Sequence, residues 1–334
     1  MQNMQILQEN KITHRPQGIV IIQTPFRISF FGGGTDLPWF FNEHGGAVIG
    51  TAINKYLYVT VNSLQRFFEK RIRFSYSKLE IVDDHDDLDH QLAKCILANH
   101  RFFDNHTFLD IHTYADLPSS SGIGSSSAFT VGMLNALYML NSSYRNPEAI
   151  AKEAIYLERE VLKEEGGWQD QVFASCGGFN RIQFSRNNFV VEPICLSLAN
   201  RNAIEESCMI FFTGGSRSSA AIQRDVFNLN EEEKTNQLIE LKVITDKAFQ
   251  LLSNIKSSST LVEEFGALLH DAWQIKRKIS AHISNKKIDD MYEAGLKAGA
   301  LGGKLCGAGS AGFLLLVVPT EKKERVKKAL EAYK

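Results

Sequence analysis

Residues 107–114 (TFLDIHTY) alternate apolar and polar side chains, the period-two signature of a half-buried strand. Residues 127–140 (SAFTVGMLNALYML) follow as an apolar run long enough for a buried helix. Upstream, 18–31 (GIVIIQTPFRISFF) holds two short apolar runs around Thr24-Pro25, where proline predicts an edge position or a break. The β-rich stretch 45–61 predicts two strands, charged strand-like segments continue through 65–82, and a helix spans 90–103. Residues 147–165 (PEAIAKEAIYLEREVLKEE) predict a helix with Pro147 in its first turn and Ala151, Ala154, Ile155, Leu157, Val161 and Leu162 on its buried side. A short helix at 171–175 and a strand at 177–184 come next, then an irregular polar stretch at 186–206. The second half predicts a buried strand at 208–213, amphipathic helices at 231–256, 259–280 and 288–300, a strand at 313–318 and a charged helix at 320–333. That order suits an α+β fold with a small antiparallel layer in the second half.

The connection between the first strand and helix, 117–129 (LPSSSGIGSSSAF), stands out chemically. A strand, a Gly/Ser loop and a helix in that order expose backbone N–H groups at a helix N-terminus, where the dipole also favours an anion. Gly122 and Gly124 lack the Cβ atoms that would hold a phosphate away, and the flanking serines can donate to phosphate oxygens or ligate a hard cation. An ordinary serine-capped loop is the plainer alternative. Gly32-Gly33-Gly34-Thr35-Asp36 is a second glycine-rich turn, ending in oxygen ligands for hydroxyl groups or in a simple Asx bond. Glu158 lies close to the apolar stripe of its helix and is either turned inward or a surface ion-pair partner. Asp170, after Gly166-Gly167, is either a helix cap or a carboxylate brought to the loop, and Trp168 beside it reads as core.

Composition narrows the classes. The chain has 334 residues, 44% hydrophobic and 22% charged, enough for two lobes with sizeable cores. The expected division is a flexible tail at 1–17, an N-terminal lobe at 18–195 and a C-terminal lobe at 205–334. A net charge of −1 provides no field to recruit nucleic acid or anionic membrane. No apolar run is long enough to span a bilayer, no signal-peptide pattern opens the chain, and five cysteines are scattered without a CxxC pair. A cytoplasmic protein with reduced, buried thiols is expected. The acidic stretch 83–90 (DDHDDLDH) lacks the glycine and distal glutamate of a calcium loop and reads as a solvated helix cap.

Familiar nucleotide motifs fail. The nearest Walker A candidate, Gly303-Lys304, has Ala298 at the first glycine and Leu305 at the Ser/Thr position. Residues 307–312 match G-x-G-x-x-G but follow a helix and precede a strand, the reverse of a dinucleotide fold. H-R-D and D-F-G strings are absent.

What remains resembles the superfamily of galactokinase, homoserine kinase, mevalonate kinase and phosphomevalonate kinase. Its signature P-x-x-x-G-[LI]-G-S-S matches Pro118, Gly122, Ile123, Gly124, Ser125 and Ser126. Its sugar-kinase motif P-x-R-x-x-x-x-G-x-x-T-D matches Pro25, Arg27, Gly32, Thr35 and Asp36, and its C-terminal glycine-rich motif matches Leu305–Gly312. Galactokinases carry Glu-His where Gly33 and Gly34 stand, which argues against galactose. FRISFFGGGTDLP with GGWQDQ downstream looks like the D-glycero-D-manno-heptose 7-phosphate kinases, and GGWQDQ also looks like the kinase part of L-fucokinases.

The resemblance implies an N-terminal lobe like ribosomal protein S5 domain 2, a ferredoxin-like C-terminal lobe, and a cleft between them. It implies ATP and Mg²⁺ as cofactors and a small-molecule sugar or sugar phosphate as acceptor, with no nucleic acid or membrane partner; oligomeric state stays open. The ATP phosphates would lie on Pro118, Ser119, Ser120, Ser121, Gly122, Ile123, Gly124, Ser125, Ser126 and Ser127. Ser126 and Glu158 would ligate Mg²⁺. Asp170 would hold the anomeric hydroxyl, with Arg27 beside it stabilising the transferring group. Gly33, Gly34, Thr35, Asp36 and Gly309 would meet the sugar. Arg217 would meet a phosphate already on the sugar, unless it is an ordinary surface arginine. A non-catalytic nucleotide-binding member is the remoter possibility.

Overall fold

A computed structural model describes residues 18–64, 69–99, 107–119, 121–214, 231–254 and 257–333. Ser120 and Arg217 lie outside the described residues. The N-terminal half is built on a seven-stranded sheet ordered β4-β3-β5-β2-β6-β7, with β1 paired to β2. The strands are β1 (Ile19–Phe31), β2 (Gly46–Ser63), β3 (Ile72–Ser75), β4 (Leu79–Val82), β5 (Leu109–Ala115), β6 (Phe179–Ser185) and β7 (Asn188–Pro193).

One expectation holds and one changes here. Around Thr24-Pro25 the chain takes an edge position rather than a break: β1 is one strand of 13 residues that pairs with β2 alone among the described strands, with a register shift between Pro25 and Arg27. Residues 45–61 form one strand rather than two, because β2 is held along its length by β1 and in succession by β6 and β5. The register passes from Pro25–Tyr56 to Arg27–Ala52, so the extra residues lie on β2, at 53–55, and β1 runs on past the proline.

Helices α1 (Pro38–His44), α3 (Ser125–Leu140) and α5 (Gln169–Cys176) pack on this sheet, with α2 (Gln91–Asn99) against α3 and α4 (Pro147–Ile155) against α3 and α5. Helix α3 is buried nearly all round, as its uninterrupted apolar sequence requires. Asn146 caps α4 through Ala149 N–H (2.8 Å), and Pro147 follows at the first helical position. The predicted helix 147–165 stops being α-helical after Ile155, and Tyr156–Val161 form a π-turn. The extra residue in that turn rotates the following positions, so Glu158 is buried and Val161, expected inside, is 38% exposed.

The stretch 186–206 is not irregular: it carries β7 and helix α6 (Leu198–Ser207). Beyond it, α7 (Glu231–Ser253), α8 (Ser258–Ile279), α9 (Lys286–Ala298) and α10 (Lys323–Leu330) accompany a three-stranded antiparallel sheet ordered β8 (Cys208–Phe212), β10 (Phe313–Val317), β9 (Gly302–Leu305). Strand β8 was expected to be buried but is an edge strand with Ile210 and Phe212 half-exposed. Strand β9 falls where the sequence carried no strand prediction; its glycines let α8 approach, since a Cβ on Gly302 would sit 2.0 Å from the Gly266 carbonyl oxygen. The halves share a core: Phe30 and Phe31, at the end of β1, each meet Phe265 of α8 edge-on at 5.2 Å. No described helix is long and apolar enough to cross a membrane. All five cysteines are unpaired, but Cys195 is exposed rather than buried.

Candidate active site

A cavity of about 940 Å³ opens where the two halves meet. The Gly/Ser loop forms one wall. Gly124 precedes α3 with φ 79°, no side chain caps the helix, and no acidic residue stands in its first turn. Its N-terminus is therefore presented to the cavity as an anion site rather than closed off by serine. The loop is pinned from the C-terminal half: Gly122 (φ +79°) lies so near Gly307 that a Cβ on Gly122 would come within 2.5 Å of the Cys306 carbonyl oxygen. Ser119, Gly122, Gly124, Ser125, Ser126 and Ser127 line the cavity. Ser121 instead turns inward and donates to the Pro118 carbonyl (2.7 Å), and the Ile123 side chain joins the core while its carbonyl accepts from Arg27 N–H (3.1 Å).

The π-turn delivers Glu158 behind this loop, 1% exposed. Its Oε2 accepts from Ser127 Oγ (3.1 Å) and Gln171 Nε2 (2.6 Å), while Oε1 has no hydrogen-bond partner among the described residues. Burial pushes this carboxyl above its ordinary range, opposed first by Arg159. A buried carboxylate with an unused oxygen, facing serine hydroxyls, is a donor set that suits a hard cation. The serine bonded to Glu158 is Ser127, whereas Ser126 is exposed along the cavity.

Arg27, just past the register shift between β1 and β2, reaches across to α5. Its Nε (2.8 Å) and Nη2 (2.7 Å) both meet Asp170 Oδ1, and its Nη1 donates to the Gly122 carbonyl (2.7 Å). One guanidinium thus ties the catalytic candidate Asp170 to the Gly/Ser loop. A Cβ on Gly124 would stand 3.3 Å from Arg27 Cγ and 3.7 Å from Asp170 Cγ, so the loop, the cation and the acid are in contact range.

The turn 32–36 divides by residue. Asp36 lines the cavity, and its two oxygens accept Gly34 N–H (2.9 Å) and Gln169 N–H (3.2 Å), which fastens the turn to the segment leading into α5. Burial raises its carboxyl above the ordinary range. Gly33 and Gly34 also line the cavity. Thr35 does not: fully buried, its hydroxyl lies 2.8 Å from the Gly32 and Ala47 carbonyls and accepts Ala47 N–H (3.1 Å), so nothing is left for a sugar. Gly309 is also displaced from the expected contact; it packs on the Ile283 backbone, and Gly307 and Ala308 face the cavity instead. Trp168 packs on Phe41 (4.7 Å), as core.

Several lining residues carried no recognised signal in the sequence. Leu57, Tyr76, His90, Leu92, Leu117 and Phe129 make an apolar and aromatic end, where burial pushes the His90 imidazole below its ordinary range. Lys276 and Lys304 enter from the C-terminal half. Lys304 is 4% exposed and donates to the Ser29 (2.7 Å) and Phe30 (3.2 Å) carbonyls; Lys276, half-buried, donates to the Gly307 carbonyl (3.0 Å). Burial lowers both ammonium groups, Lys304 strongly. A readable signal existed for Lys276: it falls three and four residues after the core positions Trp273 and Ala272, on the buried stripe of α8.

Comparison with known proteins bears on this geometry. The family model described as GHMP kinases N terminal domain matches residues 91–178, and that described as GHMP kinases C terminal matches 252–334. A D-glycero-alpha-D-manno-heptose 7-phosphate kinase of Campylobacter jejuni is 30% identical over 326 residues, 92% of each chain. The chain belongs to the GHMP kinase family. As a GHMP kinase it is an ATP-dependent phosphotransferase. The crystal structure of a D-glycero-D-manno-heptose 1-phosphate kinase from Bacteriodes thetaiotaomicron is similar at a TM-score of 0.73 and 25% identity, covering 94% of this chain and 93% of that one. A bifunctional fucokinase/GDP-fucose pyrophosphorylase of Arabidopsis thaliana is 25% identical over 209 residues, 60% of this chain and 19% of that protein. The two-lobed architecture described above is therefore the GHMP kinase fold, with the glycine-serine loop inside the matched N-terminal region.

Proposed function

We propose that this GHMP kinase transfers the γ-phosphoryl group of ATP to the anomeric hydroxyl of D-glycero-D-manno-heptose 7-phosphate, giving the 1,7-bisphosphate. The observation that carries the chemistry is the Arg27–Asp170 pair, set in one cavity with the open N-terminus of α3. The whole-length similarity to a heptose 7-phosphate kinase supports the substrate.

Phosphoryl transfer needs in-line placement and charge neutralisation more than covalent chemistry. The polyphosphate would lie on the 121–127 backbone, with the base in the apolar end by Tyr76 and Phe129. Ser126 and Glu158 would hold Mg²⁺, with Ser127 and Gln171 orienting the carboxylate; the ion, when bound, neutralises charge on the β- and γ-phosphates. Arg27 occupies Asp170 Oδ1, which leaves Oδ2 to accept a hydrogen bond from the anomeric hydroxyl and aim its oxygen at the γ-phosphorus. As the new P–O bond forms, the bond to ADP breaks and the hydroxyl proton passes to Asp170 or solvent. Arg27 sits where it can stabilise charge on the transferring group. Asp36, Gly33 and Gly34 form the wall against which the sugar would lie.

The similarity to a fucokinase over 209 residues favours, as a second reading, phosphorylation of a plain fucose-type sugar at the same hydroxyl. Turnover of ATP and Mg²⁺ with heptose 7-phosphate, L-fucose, galactose and mannose decides between them. Heptose 7-phosphate should give the highest kcat/KM and a bisphosphate by ³¹P NMR; a higher value for L-fucose replaces the first reading by the second.

A further inference from the structure

Four cations from distant parts of the chain meet on the acceptor side of the cavity: Arg27 on β1, Lys234 on α7, Lys276 on α8 and Lys304 on β9, with Lys234 taken up over the Trp39 ring at 5.1 Å. They differ in what they have left to give. The Arg27 guanidinium is already taken up by Asp170 and the Gly122 carbonyl. Lys304 is sunk among the Ser29 and Phe30 carbonyls. Lys276 gives one hydrogen bond, to the neutral carbonyl of Gly307, and pairs with no carboxylate among the described residues. An ammonium has three N–H donors, so Lys276 retains donor capacity.

Its surroundings make that an unusual arrangement. The charged groups acting on Lys276 are Asp36, Asp170, Arg27 and Lys304. Asp36 already accepts two backbone N–H groups, and Asp170 is engaged by Arg27. The position a Cβ would take on Gly33 lies 3.8 Å from Lys276 Nζ, which puts the ammonium directly beneath the turn that walls the acceptor space. Placing a cation in partly desolvated surroundings with no carboxylate paired to it directly is costly, and a ligand that brings an anion offsets that cost. A plain sugar brings none; a sugar phosphate brings about −1.5 to −2.

We propose that Lys276 receives the phosphate that the acceptor already carries, and so selects a phosphorylated sugar over a plain one. The proposal rests on the substrate class proposed above and assigns the contact that the sequence alone would place at Arg217. A second source of the same chemistry is the γ-phosphoryl in transit, and the experiment separates the two. The full chain, Lys276→Met and Lys276→Gln are assayed with ATP and Mg²⁺ on heptose 7-phosphate and on the same heptose without its phosphate. The ratio of kcat/KM for phosphorylated over plain heptose should fall by about ten- to a hundredfold in both variants, the worth of one charge-assisted hydrogen bond, and the loss should appear in KM. Calorimetric titration of heptose 7-phosphate into nucleotide-free protein should weaken to match. Equal losses on both sugars, or a loss confined to kcat, would place Lys276 at the transferring group and overturn the assignment. Should Lys276→Met not fold, Lys276→Gln and the titration carry the decision. A wild type that phosphorylates plain sugars but never heptose 7-phosphate sinks the substrate class itself, which is a different result from a wild type that uses it with Lys276 indifferent.

Discussion

The two ends of the cavity follow opposite plans. At the 121–127 loop the chain offers main-chain dipoles and small hydroxyls, with the Glu158 carboxylate recessed behind them. At the 33–36 turn it concentrates charge: Arg27 against Asp170, Asp36 fastened by backbone N–H groups, and three lysines, Lys234, Lys276 and Lys304, brought in from the other half. The first plan suits a group of spread negative charge, which fixed dipoles hold without demanding one geometry. The second suits a small acceptor that must be aimed, because only directional side-chain pairs fix one hydroxyl in line. Arg27 joins the plans, since the same guanidinium holds Asp170 and the loop carbonyl of Gly122.

The sharpest way to break this contrast is Asp170→Asn. If the acceptor end aims the hydroxyl, kcat should fall by at least about a hundredfold while nucleotide affinity, measured by fluorescent-analogue displacement, stays close to wild type. A matching loss of nucleotide affinity would show that the two ends are not separable. Glu158→Gln tests the other end. It keeps the shape and the Gln171 and Ser127 neighbours but removes the charge, so half-saturation with Mg²⁺ should rise on the order of tenfold with a smaller change in acceptor KM. An unchanged Mg²⁺ titration removes Glu158 from the metal site.

The smallest effect concerns stability alone. Burial holds the Lys304 ammonium well below the ordinary lysine value of 10.5, so across the window between its lowered value and 10.5 the unfolded chain binds more protons than the folded one. The contribution of this group to stability therefore rises with pH in that window. Compared with Lys304→Met in denaturant titrations, wild type should gain stability as pH rises towards that ordinary value. A constant difference would mean that Lys304 is not carrying that charge penalty in the folded state.

The fold of the 121–127 end was largely legible in advance because its parts are neighbours in sequence. Strand, loop and helix fall within 107–140, and the alternation of 107–114 and the apolar run of 127–140 describe β5 and α3 closely. The acceptor end was legible only in pieces. Thr35 looked like a sugar ligand because a turn threonine offers a hydroxyl; the fold consumes it on Gly32 and Ala47. Gly309 looked equivalent to its neighbours until the Ile283 backbone came against it. Val161 fitted an α-helical stripe that a π-turn then rotated outward. Lys276 was hidden because a lysine in an amphipathic helix reads as surface unless its place on the stripe is weighed.

Local order thus belongs to the sequence alone: period, glycine placement and proline position act over a few residues, and so do the dipole and donors of a loop that ends in a helix. Which carboxylate meets which cation belongs to the tertiary structure. Arg27 and Asp170 are 143 positions apart and Lys304 and Ser29 are 275 apart. Electrostatic pairing depends on distance through space and on the water each group loses, and neither quantity exists until the two halves have closed on Phe30, Phe31 and Phe265.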